Sequence, residues 1–300
     1  LAYRPLVWTT QTSAGTGPML GCTAIGDEAW IAGFSNEVFY TANRGNDWSP
    51  RNLTATNAYS AGIWATAPNA LYVAGITVGA QMFGVVFKSS DKGVTWDPSY
   101  SSQNKSIKDI HGTSSNIYAG GEAGVVLRST NAGSSWPQVT AVSGSSTVSG
   151  VFVSSDGTVF AAVGGESVSR SFDNGSSWVA KKAAPTGGVI SDIHGVDAEN
   201  VWVVGTVTAT STPFAAYTDD GGQNWNSVAL PPGPTGMSAL VMQSANDVVM
   251  VGKEGYVYHF FNGAVNPETS NTTANLTGVC SSGPTTYYAV GANGAIIHGE

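Results

Sequence analysis

Charge is what this sequence is short of. Asp, Glu, Lys and Arg make up 11% of 300 residues, against about 25% in an ordinary globular chain. The 12 Lys and Arg are scattered and the net charge is -8. No basic patch forms, which disfavours nucleic acid and anionic lipid as partners. Only two cysteines, Cys22 and Cys280, are present, so a disulfide-rich miniature framework is excluded. No apolar run reaches the length that spans a bilayer. Helical periodicity of useful length is missing. Glycine is plentiful, 38 residues, but follows no Gly-x-x period and therefore belongs to tight turns.

Polarity comes instead from Ser, Thr and Asn. Such a surface points to a secreted, periplasmic or cell-surface protein. The start at Leu1 without Met fits a processed end, with a removed signal peptide as one explanation. Five N-x-Ser/Thr sequons begin at Asn52, Asn104, Asn174, Asn271 and Asn275. Chance supplies about that many in this composition, so they do not establish glycosylation.

What is present is a repeat. Trp48, Trp96, Trp136, Trp178 and Trp225 stand 40 to 48 residues apart. Each closes a segment with a hydroxyl residue, then Asp or Asn two later, Gly two after that, and Trp three further on. Ser89, Asp91, Gly93 and Trp96 form one copy. A fixed aromatic at a period of 40–50 residues marks a repeat architecture. Between these segments the chain reads as short period-2 strands bounded by Gly, Asn and Asp, the pattern of antiparallel hairpins.

Seven units follow. The inner strands are expected near residues 20–24, 61–65, 107–111, 148–153, 190–194, 238–242 and 276–280. The last unit has three strands before Glu300, and residues 1–10, with Trp8, supply its fourth. Four-stranded sheets packed radially bury their faces on one another. The expected fold is therefore all-β: a seven-bladed β-propeller of four-stranded antiparallel blades, closed by the N-terminal strand in the last blade, with residues 1–300 as a single domain. Segments 76–84 and 206–214 are insertions between second and third strands, so both are expected as loops on one face.

Within each turn segment, the Asp can accept hydrogen bonds from its own turn, the Gly can take positive φ, and the Trp can bury a large face. Asp91 with Trp96, Asp173 with Trp178 and Asp220 with Trp225 therefore read as structural. These segments resemble the Asp-box, or BNR repeat, of the sialidase-like β-propeller superfamily. Three copies match in full. Those at Thr41 and Ser129 carry Asn in place of Asp, and the sixth unit keeps only Gly263. The resemblance implies propeller blades and is silent on activity. Sialidases in that superfamily use an arginine triad, whereas Arg4, Arg44, Arg51, Arg128 and Arg170 are this chain's only arginines, and Arg44, Arg128 and Arg170 sit at structural positions. The arginine patch of the photosynthetic assembly factors built from such blades is also missing.

Aligned inner strands place Cys22, Trp64, His111, Phe152, His194, Val241 and Cys280 at one level of a central channel. Cys22 and Cys280 fall in adjacent units, as a disulfide locking the ring or as two buried thiols. Asp-Ile-His-Gly occurs twice, around His111 and His194. Two His in non-adjacent units are too few for a metal site, and no metal or cofactor is expected. Trp64 reads as a channel plug or a stacking platform. Met82, Phe83 and Phe214, on the two insertions, join Trp64, His111 and His194 as candidate ligand-binding residues.

Glu122, Glu166 and Glu254 lie on the same rim. Paired carboxylates there are the one route to glycoside hydrolysis, while solvated turn residues are the plainer reading. No nucleophile triad, Walker loop or dinucleotide fingerprint occurs. The function expected is non-enzymatic recognition of a glycan or protein ligand by the loop-bearing face. The alternatives are a glycoside hydrolase using the rim carboxylates and a structural domain of a larger surface protein.

Overall fold

Turn residues divide the chain into short strands that pair antiparallel with their chain neighbours. The computed structural model describes residues 3–12, 15–55, 57–139, 142 and 146–300. Among them the strands form seven sheets, six of four strands and one of three. The inner strands are Met19–Ile25, Ala58–Ala67, Ile107–Gly112, Val148–Val153, Gly188–Gly195, Met237–Ser244 and Leu276–Gly283. Each touches the inner strand of the next blade, and the last returns to the first. This is a seven-bladed propeller.

Its core is not one ball but a layer of apolar side chains between each pair of blades. Trp30 and Val38 of blade 1 meet Leu71, Val73 and Phe87 of blade 2. Phe160 of blade 4 meets Val201 and Val203 of blade 5. Each second strand is buried on both faces, so it reads as a continuous apolar run, such as Val201-Trp202-Val203-Val204.

The repeated turns lie between third and fourth strands. The Ser89 hydroxyl donates to Asp91 Oδ1 at 2.8 Å and accepts from Gly93 N–H at 2.9 Å. Asp91 Oδ1 also accepts from Thr95 N–H at 2.9 Å. Gly93 sits at φ +82°, a conformation open to Gly at little cost. The Asn131 copy keeps the same bonds, because Oδ1 is the atom that matters. Trp96 then reaches backwards and donates to Arg51 O at 2.7 Å, and Trp136 to Ser99 Oγ at 3.1 Å. Each of these two Trp thus staples its blade to the one before.

Closure uses both ends. Trp8–Thr10 pairs with Ile296–Gly299, completing blade 7. This strand is shorter than the 1–10 expected. Leu1 and Ala2 lie outside the described residues, and Pro5 lacks a donor for any ladder. The segment before Trp8 crosses to blade 6, where it converges on Glu268. That carboxylate accepts from Tyr3 Oη–H at 2.8 Å, Leu6 N–H at 3.1 Å and the Trp8 indole, and contacts His259 Nδ1 at 3.1 Å. His259 Nε2 meets Asp247 at 2.8 Å. Cys22 and Cys280 form a disulfide across the seam between blades 7 and 1, with Cα atoms 5.7 Å apart.

Three expectations need correction. Segments 76–84 and 206–214 are not loops. Their strands run on to Val78 and from Met82, and to Val207 and from Thr212, as lengthened hairpins. Blade 3 has three strands, with one bridge, Leu127 to Gln138, where the fourth would pair. Pro137 cannot donate at that place. The sixth unit, which keeps only Gly263 of the box, turns instead at Asn262-Gly263 with φ +48° and +88°, the positive-φ pair of a tight hairpin. Finally, Cys22 pairs with Ile31 and Thr23 with Trp30, whereas Cys280 pairs with Tyr288. Tyr288 and Trp30 face His298 and Tyr40 in the same register. Thr23, not Cys22, therefore occupies the level of Trp64.

Burial alone would lower the titration of His259, but its bonds to Asp247 and Glu268 carry it up to about 9. Its stabilising contribution is complete below the unfolded value near 6.5 and is lost as pH rises through 9. Urea melts are expected to show a fall in stability between pH 7 and 10 that His259→Gln flattens. Cys22→Ser is expected to cost about 2–5 kcal/mol, read from the same melts, because the bond closes most of the chain into one loop.

Candidate functional site

The channel is built by a device common to all seven inner strands. Each has a bulge near its start, between Met19 and Gly21 in blade 1 and between Ile107 and Asp109 in blade 3, for example. A bulge bends the strand and re-aims its side chains. The residues just after the bulges are Gly21, Gly62, Asp109, Gly150, Asp192, Ala239 and Gly278. Five are small, so the level is open except for two carboxylates.

Two residues further on, the channel is filled. Trp64 and His111 lie with ring centroids 4.0 Å apart, His111 and Phe152 5.1 Å, Phe152 and His194 5.7 Å, and His111 and His194 5.8 Å. Trp64 Nε1 donates to Gly112 O at 2.8 Å, which fixes the indole as part of this plug. The repeated Asp-Ile-His-Gly ties neighbouring blades together. Asp109 Oδ2 accepts from Val151 N–H at 2.8 Å and His111 Nδ1 from Val153 N–H at 3.1 Å. Asp192 Oδ2 accepts from Leu240 N–H at 2.8 Å and His194 Nδ1 from Met242 N–H at 3.4 Å.

The plug separates two spaces. On the hairpin side a funnel of about 150 Å³ is lined by Asp109, Asp192, Trp64, His111 and His194. On the opposite side a space of about 250 Å³ is lined by Val241, Gln243 and the disulfide. Burial pushes Asp109 up to about 6. Burial pushes Asp192 up to about 7, with the charge of Asp109 adding to the shift. Burial lowers His194 to about 4 and His111 well below its ordinary value, so both rings are neutral at pH 7.

The rim carboxylates are each engaged locally. Glu122 pairs with Lys108 at 2.9 Å and accepts from Ser106 N–H. Glu166 pairs with Lys182 at 2.8 Å and accepts from Gly187 N–H at 2.6 Å. Glu254 accepts from Thr235 Oγ1–H at 2.7 Å. They belong to blades 3, 4 and 6. The hydrogen bonds of Glu122 and Glu166 lower their titrations, opposite to what a general acid requires. Asp91, Asp173 and Asp220 stay in their turns. Asp173 and Asp220 are pulled down to about 2 by the hydroxyl, amide and backbone donors around them.

The apolar candidates divide. Met82 is 49% exposed and Val78 37%. Phe83 packs against the layer between blades 1 and 2. Phe214 is 8% exposed and belongs to the layer between blades 4 and 5, so it is not part of an accessible face. Because the insertion is strand rather than loop, alternate side chains turn inward. Phe34, 37% exposed, meets Tyr59 edge-on at 4.9 Å on the same face. This pair was not singled out from the sequence. A Phe set directly in a hairpin turn, after Gly33, was the available signal.

Structures of similar fold cover the chain almost from end to end. One of YCF48 bound to D1 peptide aligns with a TM-score of 0.73 and 15% identity, over 99% of this chain and 96% of that one. One of YCF48 from Cyanidioschyzon merolae gives 0.74 and 15%, over 97% and 98%. Streptogramin B lyase gives 0.77 and 11%, over 99% and 98%. At such identities the likeness is one of fold. No protein-family model matches the chain, and no curated protein matches its sequence.

Because native Asp109 and Asp192 hold protons that the unfolded chain releases near pH 4, stability is expected to fall as pH rises from 4 through 7. Asp192→Asn keeps an acceptor for Leu240 N–H and removes the buried charge. That variant is expected to be more stable than the parent at pH 8, by roughly 1–3 kcal/mol, and to lose part of the slope. Denaturant melts across this range measure both.

Proposed function

We propose that this chain is a recognition propeller that binds a peptide or protein segment across its hairpin face. The observation that carries the reading is the set of exposed apolar side chains there, Met82, Val78 and Phe34. Val78 and Met82 flank the turn of the lengthened blade 2 hairpin, and Phe34 stands in the shorter hairpin turn of blade 1. Exposed apolar side chains on rigid strands make inexpensive anchors, because little entropy remains to be lost on binding. A propeller of the same architecture has been seen with a peptide bound, in YCF48 with D1 peptide, which supports peptide recognition as a use of this scaffold.

The turn geometry supports placing the chain among the Asp-box propellers. The hydroxyl, Asp or Asn, and Gly of five turns make one repeated set of bonds. The Cys22–Cys280 disulfide supports an oxidising compartment, hence a secreted, periplasmic or cell-surface location, with the whole chain acting as one domain.

Selection of displayed peptides against the intact chain supplies a ligand, and calorimetry measures it. Met82→Glu and Phe34→Glu are each expected to weaken that peptide about tenfold or more, about 1.4 kcal/mol. Phe172→Glu, at a 64% exposed aromatic in a turn of the opposite face, is expected to leave affinity unchanged. The reverse pattern would move the site to the turn-bearing face and overturn the reading.

A further inference from the structure

The funnel holds an electrostatic imbalance that the fold leaves unanswered. Asp109 and Asp192 project from blades 3 and 5 into one cavity, on either side of Gly150. Their oxygens accept backbone N–H groups of the next blades. Among the described residues no Lys, Arg or protonated His pairs with either carboxylate. Lys108 also lines the funnel, but its ammonium pairs with Glu122 at 2.9 Å. Buried carboxylates ordinarily have a cationic partner. Gly62 of the preceding blade brings no side chain to Asp109 and packs close to it: a Cβ there would lie 3.1 Å from Asp109 Oδ1.

A separate observation concerns the floor. His111 is nine-tenths buried and lines the same cavity. Its Nδ1 accepts from Val153 N–H, so the ring proton sits on Nε2. That donor has no acceptor among the described residues. At pH 8, where both carboxyls are ionised, the funnel thus offers two anionic acceptors on its wall and one N–H donor on its floor. Its volume of about 150 Å³ matches a cavity that holds one small ring. It takes one terminal group, not a chain.

We propose that the funnel receives the free amino terminus of a peptide, with the ammonium between Asp109 and Asp192 and the first peptide carbonyl accepting from His111 Nε2–H. An α-ammonium and its own carbonyl are three bonds apart, which puts a cation and an acceptor in one compact unit. A lysine tip carries the cation without the acceptor. The inference rests on the hairpin face being a peptide-binding face, and names the group of the ligand that enters the centre of that face.

Trialanine amide, N-acetyl-trialanine amide and acetyl-lysine amide distinguish the cases, titrated into the isotope-labelled intact chain and followed by NMR. These probes carry no aromatic or branched apolar side chain for Met82 or Phe34 to hold, so their outcome is independent of the hairpin anchors. Trialanine amide is expected to bind in the millimolar range and to shift the carboxyl carbons of Asp109 and Asp192. Acetylation is expected to weaken it at least tenfold. Asp109→Asn and Asp192→Asn, which retain an acceptor for the neighbouring blade, are each expected to weaken it about tenfold while melting as folded proteins. Equal binding of the acetylated peptide overturns the proposal. So does equal binding of acetyl-lysine amide, which would reassign the funnel to side-chain cations. Absence of any shift with all three probes also overturns it, and leaves the hairpin face to be judged by the Met82 and Phe34 variants.

Discussion

The ladder between Trp8–Thr10 and Ile296–Gly299 joins the two ends of the chain inside one sheet, and the ring depends on it. Blades one to six each gather consecutive strands and can form locally. Blade 7 cannot form until nearly the whole chain has been brought round. The disulfide across the same seam and the convergence of Tyr3, Leu6, Trp8 and His259 on Glu268 reinforce that one junction. Glu268 is fully enclosed, so its charge is tolerable only while these donors surround it. The N-terminal segment therefore behaves as part of the ring's closure, spanning blades 6 and 7.

Elsewhere, adjacent blades are held by apolar layers and by single polar staples at two radii. Near the rim, Trp96 and Trp136 reach back to the preceding blade. Near the axis, Asp109, His111, Asp192 and His194 reach forward to the next. The axial staples have a consequence for function. They require carboxylates and imidazoles deep in the channel, where burial shifts their titration, and they leave one oxygen-rich wall and one N–H donor facing an open cavity. Structural residues thereby create the chemistry of a binding site. The hairpin face also carries exposed apolar side chains, Phe34 on blade 1 and Val78 and Met82 on blade 2.

How much of this was legible varied by residue type. The box turns were readable because their bonds are local: Ser89, Asp91, Gly93 and Thr95 lie within one turn, and spacing alone predicts who meets whom. The Asn-Gly hairpin at 262–263 could have been read the same way. Extra residues between second and third strands of a repeat imply loops, whereas cross-strand pairing of Val78 with Met82 and Val207 with Thr212 carries the ladder through most of them. Phe214 looked exposed for the same reason. The one-residue offset of Cys22 shows only in the pairing: the bulge between Met19 and Gly21 puts Thr23 two residues past it, where the bulge between Ser60 and Gly62 puts Trp64, and no period-2 pattern reveals where those bulges fall.

Sequence by itself determined the blade count, the turn chemistry and the sharing of one blade between the two ends, because each follows from periodic local signals repeated along the chain. Only the tertiary structure decided which residues meet at the axis. Asp109 and Asp192 are separated by more than eighty residues and share a cavity because two blades of a closed ring point inward. Glu268 meets Tyr3 only when that ring is shut. Charge burial and its effect on titration depend on such distances, and no linear spacing encodes them.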